Sequence, residues 1–343
     1  MARATILDVA KASGLSVSTV NRALHEPEKV RDETLMSVLQ AAEIVGFYGL
    51  GSIRESVKSA RPKVRIGILL LQRNRAFYKS LGVAFEAAAK SHRDHEVVIQ
   101  IDYLDELSPQ NVSDGLIRLA QKADVLGVVA PEHPLISATI ERLAEAGKKF
   151  FGLISPLTAR CGVGYVGLDA WKVGRTAAWA CHNLCRNENA KIGILVGNHR
   201  FRCQETNESG FRSYMREHAS GIVILEPQST FESANIAREI TETMLIRHKD
   251  LAGLFVCGGG ISGVIQAFRE SDRRQNVVVV GYDNTEVTQG ALLDGTMNFM
   301  ISHPIARLAQ ETIQAMTLAI TRSADSTPQS ITLPFEIFTP ENL

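Results

Sequence analysis

No stretch of about 18 uncharged apolar residues occurs in this chain, and the opening segment MARATILDVAKASG has no apolar core of signal-peptide length. Neither a membrane-spanning helix nor a secretory leader is expected, so the protein is expected to be soluble and cytoplasmic, with no membrane partner. There is no surplus of either charge: Lys and Arg total 37, and so do Asp and Glu. That balance excludes a globally basic nucleic-acid binder and an acidic solvating tail, so any nucleic-acid contact must come from a local module. Cysteine is scarce and odd in number, with Cys161, Cys181, Cys185, Cys203 and Cys257 unevenly spaced. Such a set does not make a disulfide framework and fits a reducing compartment. Cys181 and Cys185 flank His182, but no further ligands converge at zinc spacing, and neither metal nor cofactor is expected.

What is present is enough apolar sequence, 45% of 343 residues, to bury a substantial core in more than one domain. From Thr5 to about Gly46 apolar residues recur at helical spacing in three short segments, with Gly14 breaking the first and Ser16 placed to cap the second. A stretch rich in glycine, serine and charge follows. Beyond it, about ten apolar runs, from VRIGILLL to MNFMIS, alternate with amphipathic helical stretches. This alternation predicts an α/β fold with parallel, doubly wound sheets, more naturally two lobes than one sheet. The expected domains are a helix-turn-helix head at 1–48, a hinge or linker at 49–62, and a larger two-lobed body at 63–343.

In a helix-turn-helix the second helix enters the major groove and presents its N-terminal side chains to base edges. Val17, Ser18 and Arg22 fall on that face here, suited to a thymine methyl, several base edges, and guanine or phosphate respectively. Thr5, Ser16, Thr19 and Asn21 can supply phosphate contacts.

One motif in the body points elsewhere. In LFVCGGGISGVIQAF, Gly258, Gly260 and Gly263 satisfy GxGxxG, and Asp283 follows at about 20 residues, as in dinucleotide-binding enzymes. That fingerprint usually belongs to the first strand-helix unit of such a fold, whereas seven apparent strands of the body precede it here, and no other catalytic motif accompanies it.

TILDVAKASGLSVSTVNRAL followed by VRDETLMSVLQAAEIVGF resembles the head of the lactose-repressor/galactose-repressor (LacI/GalR) transcription factors. Thr5, Asp8, Val9, Ala10, Gly14, Ser16, Thr19, Val20 and Arg22 match the family pattern. The resemblance puts Val17 and Ser18 at base-reading positions and Arg22 at the recognition-helix arginine. Asn21 replaces the usual serine and His25 the usual asparagine. Gly49 and Leu50 replace a proline-asparagine pair, and Ser56 then Val57 stand where the family has a leucine that wedges into the minor groove. Ile53 and Val57 are therefore the hinge candidates.

The resemblance continues more diffusely through the body and implies an effector-binding and dimerisation domain at 63–343, its two lobes like those of periplasmic sugar-binding proteins and joined by three crossovers. It implies a first lobe at about 63–160 and 291–325, a second at about 161–290, and a ligand at the C-terminal ends of the strands. Position then nominates Asn74, Phe77 and Tyr78 after the first strand, Glu132, Asn198 and Arg202 on later loops, and Asp283. Asn207 replaces an arginine common in the family, Gly258, Gly259 and Gly260 replace alanine-asparagine-aspartate, and His303 stands where glutamine or aspartate is common. The glycines leave bare amides at a helix start, suited to a ligand oxygen or an anionic group.

The resemblance therefore implies a sequence-specific DNA-binding transcriptional regulator, a repressor and not an enzyme, acting as a homodimer on a pseudo-palindromic double-stranded operator. Its DNA affinity is expected to be controlled by a small polar effector, a sugar, polyol or sugar derivative, held between the lobes. Two alternatives are a cytoplasmic small-molecule-binding protein with weak DNA binding and an NAD-dependent oxidoreductase.

Overall fold

The computed structural model describes residues 3–49, 51, 62–185, 190–272, 276–321 and 329–343. The hinge candidates Ile53 and Val57 lie outside them. The chain divides into two compact units, one holding the N-terminal helices together with Ala89–Val98, the other comprising Ile66–Ala88 and Ile99–Leu343. Among the described residues no helix is long and apolar enough to cross a membrane.

Three helices form the head: α1 (Ile6–Ser13), α2 (Val17–His25) and α3 (Asp32–Val45). The first begins where the Thr5 N–H and hydroxyl both donate to Asp8 Oδ2 at 2.8 Å, and these donors hold the Asp8 carboxyl below its ordinary pKa. It ends at Gly14, whose φ of +70° is the left-handed cap that lets the chain turn. Ser16 Oγ then accepts the Thr19 N–H at 3.1 Å and starts α2. Val9, Val20, Ala23, Leu35, Val38 and Phe47 close a small core between the three helices.

The body is built on strands β1 (Lys63–Leu71), β2 (Glu96–Leu104), β3 (Val125–Val128), β4 (Lys149–Leu153), β5 (Gly164–Leu168), β6 (Lys191–Val196), β7 (Val223–Ile224), β8 (Gln228–Ser229), β9 (Leu251–Val256), β10 (Val278–Tyr282), β11 (Phe299–Ser302), β12 (Ser330–Leu333) and β13 (Glu336–Phe338). They make two sheets, in the orders β12-β5-β4-β3-β1-β2 and β13-β11-β10-β9-β6-β7, with β8 also on β6. The inner pairs are parallel, as strand-helix-strand units require, and β13 runs antiparallel to β11.

The helices of the body are α4 (Ala76–Ser91), α5 (Pro109–Ala120), α6 (Pro134–Glu145), α7 (Ala170–Leu184), α8 (Arg202–His218), α9 (Ala234–Arg247), α10 (Ile261–Arg269), α11 (Glu286–Leu293) and α12 (Ile305–Thr321). The chain passes between sheets three times. It leaves β5 for α7, which packs on the second sheet; leaves β11 for α12, which packs on the first; and leaves β12 for β13. This differs from the lobe spans expected above, which put residues 161–168 with the second lobe and 291–302 with the first. Backbone pairing decides it: β5 continues the first sheet beside β4, and β11 continues the second beside β10. The strands β8, β12 and β13 are additions to the ten apolar runs; they are short and partly exposed, with little apolar signal to read.

Candidate functional site

On α2, Val17, Ser18, Asn21, Arg22 and His25 are all exposed and share one face, opposite the buried Val20 and Ala23. Ser16 and Thr19 are occupied in capping, their hydroxyls 2.8 Å apart, and the exposed Thr5 is bound to Asp8. The head thus offers a rigid helix with a polar outer face and an exposed N-terminal turn. That is the geometry a major-groove reader needs.

In the body, the loops at the C-terminal ends of the strands enclose a cavity of ≈ 410 Å³. Of the residues nominated from sequence, Asn74, Phe77, Tyr78, Asn207, Gly258, Gly259, Asp283 and His303 line it. Glu132, Asn198 and Arg202 do not. Glu132 and Arg202 belong to a separate loop contact, in which Arg202 Nη1 donates to Thr158 Oγ1 at 2.7 Å and lies 3.8 Å from Glu132 Oε1. Asn198 shapes its own loop, its N–H donating to Gln204 Oε1 at 3.0 Å and its Oδ1 accepting the Arg200 N–H at 2.9 Å.

The polar centre of the cavity is a chain of residues the motifs did not reveal. Arg75 Nη1 donates to Glu232 Oε2 at 2.6 Å, and Gln204 Nε2 donates to Glu232 Oε1 at 2.8 Å. Burial works against the Arg75 charge, but the Glu232 carboxylate, aided by Tyr78 and Asp283, outweighs it and raises the Arg75 pKa. Across the cavity His303 Nδ1 bonds to Asp283 Oδ1 at 2.8 Å. An aromatic wall joins these groups: Phe77 packs against Tyr78 and His303 with ring centres 5.1 and 5.4 Å apart, and Tyr282 lies 5.9 Å from His303. Burial drives the Tyr78 and Tyr282 hydroxyls far above the usual phenol range, and the Cys203 thiol up to about 12. All three therefore remain protonated at neutral pH.

The glycines now have specific reasons. A Cβ at Gly258 would meet the Gly197 amide and the Gln204 side chain; one at Gly259 would meet the Glu232 carboxylate and Arg75; one at Gly263 would meet the Ala234 carbonyl. Gly260 has φ +102° and starts α10. The space beside Gly259, suited from sequence to a ligand anion, is taken by the chain's own Glu232. A dinucleotide pyrophosphate would have to enter there against that carboxylate.

Backbone strain gathers at the same place. Among the described residues, the non-glycine residues with positive φ are Gln72, Ile154, Phe231, Glu232 and Asp283, and all but Phe231 line the cavity. Such conformations cost of order 1–3 kcal/mol each and persist only where the surroundings impose them. Ile154, a β-branched residue at φ +66°, is held by its N–H to the Val166 carbonyl at 2.9 Å, beside the Tyr165 hydroxyl, which donates to the Leu168 carbonyl at 2.8 Å and lies 3.2 Å from the Ile154 carbonyl.

Comparison with known proteins agrees with this division of the chain. Residues 66–323 match the periplasmic binding protein domain and residues 5–49 the bacterial regulatory proteins of the lacI family. The HTH-type transcriptional regulator GalS of Salmonella typhimurium is 26% identical over 214 residues, which are 62% of this chain and 59% of that protein. The HTH-type transcriptional repressor PurR of Photobacterium profundum is 26% identical over 308 residues, 83% of each protein. In structure the chain is similar to an ABC transporter solute-binding protein of Agrobacterium vitis bound with α-D-tagatopyranose, with TM-score 0.73, 21% identity, and coverage of 81% of this chain and 95% of that one. The last likeness speaks to the fold alone.

Proposed function

This chain belongs to the periplasmic binding protein domain family and carries the lacI-family regulatory head at residues 5–49, and from that membership we propose that it is a DNA-binding transcriptional repressor controlled by a carbohydrate or polyol. The observation that carries the reading is the presence in one chain of an α2 whose outer face is free for bases and a body cavity lined by aromatic faces and planar polar groups. Sugar hydroxyls each donate and accept, and the Asp283 carboxylate and the Arg75 guanidinium offer both kinds of partner. The protein acts by binding and not by catalysis. It works in the cytoplasm as a homodimer, its two heads reading the halves of a pseudo-palindromic operator.

Selection of duplexes from a random DNA pool at moderate salt, with competitor DNA present, tests the reading. Enrichment of a two-fold symmetric sequence that Arg22→Ala no longer retains is expected. Recovery of unselected DNA only would refute it.

A further inference from the structure

The charges of the cavity determine which ligands it can hold, given the carbohydrate reading above on which this inference rests. Arg75 is the sole lysine or arginine lining it among the described residues. Its guanidinium is already engaged by Glu232, whose side chain is 4% exposed and fixed from its other oxygen by Gln204. Asp283 adds a second carboxylate. Its Oδ1 meets His303, while Oδ2 receives no hydrogen bond from a described residue. Asn207 is 2% exposed and lines the cavity, its side-chain amide against the Tyr282 hydroxyl. The cavity therefore has one guanidinium, already paired, and two carboxylates, of which Asp283 keeps one oxygen open to a ligand.

We propose that the cavity is built for an uncharged, hydroxyl-rich ligand and excludes phosphorylated and carboxylated sugars, and that Glu232 is the residue that sets this choice. An arriving anion has two routes. It can displace Glu232 from Arg75, leaving a buried carboxylate without its partner, or it can lie beside Glu232 and Asp283 without a cation of its own. A neutral sugar avoids both costs, because its hydroxyls can donate to Asp283 Oδ2 and accept from the Arg75 N–H groups that Glu232 does not use. Selection arises from repulsion as much as attraction. Gly259 is part of the device, since a side chain there would occupy the position of the Glu232 carboxylate.

Calorimetric titration of the full-length protein with matched sets, each a neutral hexose or pentose together with its terminal phosphate and its uronic acid, tests this. The expected binder is neutral, with its phosphate and acid weaker by about 100-fold or undetectable. Glu232→Gln should narrow that gap by roughly tenfold by releasing Arg75 from a charged partner, whereas Arg75→Gln should not narrow it. A phosphate or acid that binds the wild type as tightly as its neutral counterpart would overturn the exclusion while leaving sugar control of DNA binding intact. Unchanged discrimination in a folded Glu232→Gln would overturn the role of Glu232, and the wild-type comparison decides the exclusion by itself if that variant does not fold. Failure of every sugar in the sets to bind would overturn this inference and the carbohydrate reading together.

Discussion

Nη1 of Arg75 lies 2.6 Å from Oε2 of Glu232, and this contact ties the loop after β1, in the first sheet, to the loop after β8, beside the second. Removing the guanidinium with Arg75→Ala leaves a buried carboxylate with only Gln204 to satisfy it. The expected loss of stability is about 2–3 kcal/mol, below the full value for a buried pair because the Arg75 side chain is 26% exposed. Glu232→Gln keeps the shape and should cost less. Urea unfolding followed by Trp171 and Trp179, both on α7 in the body, measures the difference. Equal costs for the two variants would contradict the assignment.

Two glycine substitutions separate collision from backbone strain. Gly259→Ala drives a methyl onto the Glu232 carboxylate and to within 2.8 Å of Arg75 Nη1, whereas Gly295 has φ +74° and open space around its Cβ position. Gly259→Ala should weaken sugar binding at least about tenfold, as overpacking displaces the groups that line the site. Gly295→Ala should cost about 1 kcal/mol of stability and leave sugar affinity unchanged. Titration and urea unfolding of both proteins distinguish the two effects.

Acid should remove one identifiable contribution to stability. Arg175 donates two hydrogen bonds to Glu217, at 2.9 and 2.8 Å, and with Ser213 it lowers the Glu217 pKa from 4.5 to about 2. Because the folded value lies below the unfolded one, the stabilisation is present above pH 4.5 and is lost as the pH falls towards 2. Urea midpoints of the wild type and Glu217→Gln should therefore differ at neutral pH and converge in acid. A constant difference across that range would contradict it.

The thiols should react in the order of their exposure. Burial raises Cys203 to about 12 and pushes Cys181 and Cys257 well up, while Cys161 is exposed and only modestly raised. Peptide mapping after brief iodoacetamide treatment at pH near 8 should find Cys161 modified first, and Cys203, which lines the cavity, more slowly still when sugar is bound. Equal labelling of Cys161 and Cys203 would mean that the cavity is more open than described.

Much of this was legible in the order of residues, and what was not has physical causes. The ten apolar runs are strands because apolar segments announce themselves, whereas β8, β12 and β13 are short and partly exposed. Glu232 was hidden with β8, since its loop follows a strand with no apolar signature. Gly258 to Gly260 were readable as a strand-to-helix turn. The reason Gly258 and Gly259 are bare lies in Gln204 and Glu232, distant in sequence, and only the fold brings these together. Sheet membership of β5 and β11 was likewise invisible, because an apolar run does not say which neighbour it will pair with. The left-handed Ile154 could not be foreseen either, as its sequence favours an extended backbone.

One ligand event in the body should change DNA binding by the head. The most direct test is fluorescence anisotropy of the selected operator duplex with full-length protein, with and without the neutral sugar found by titration. Saturating sugar should weaken operator affinity by about tenfold or more, and operator should weaken sugar affinity by the same factor, as linkage demands. Operator affinity unchanged by a sugar that demonstrably fills the cavity would contradict it.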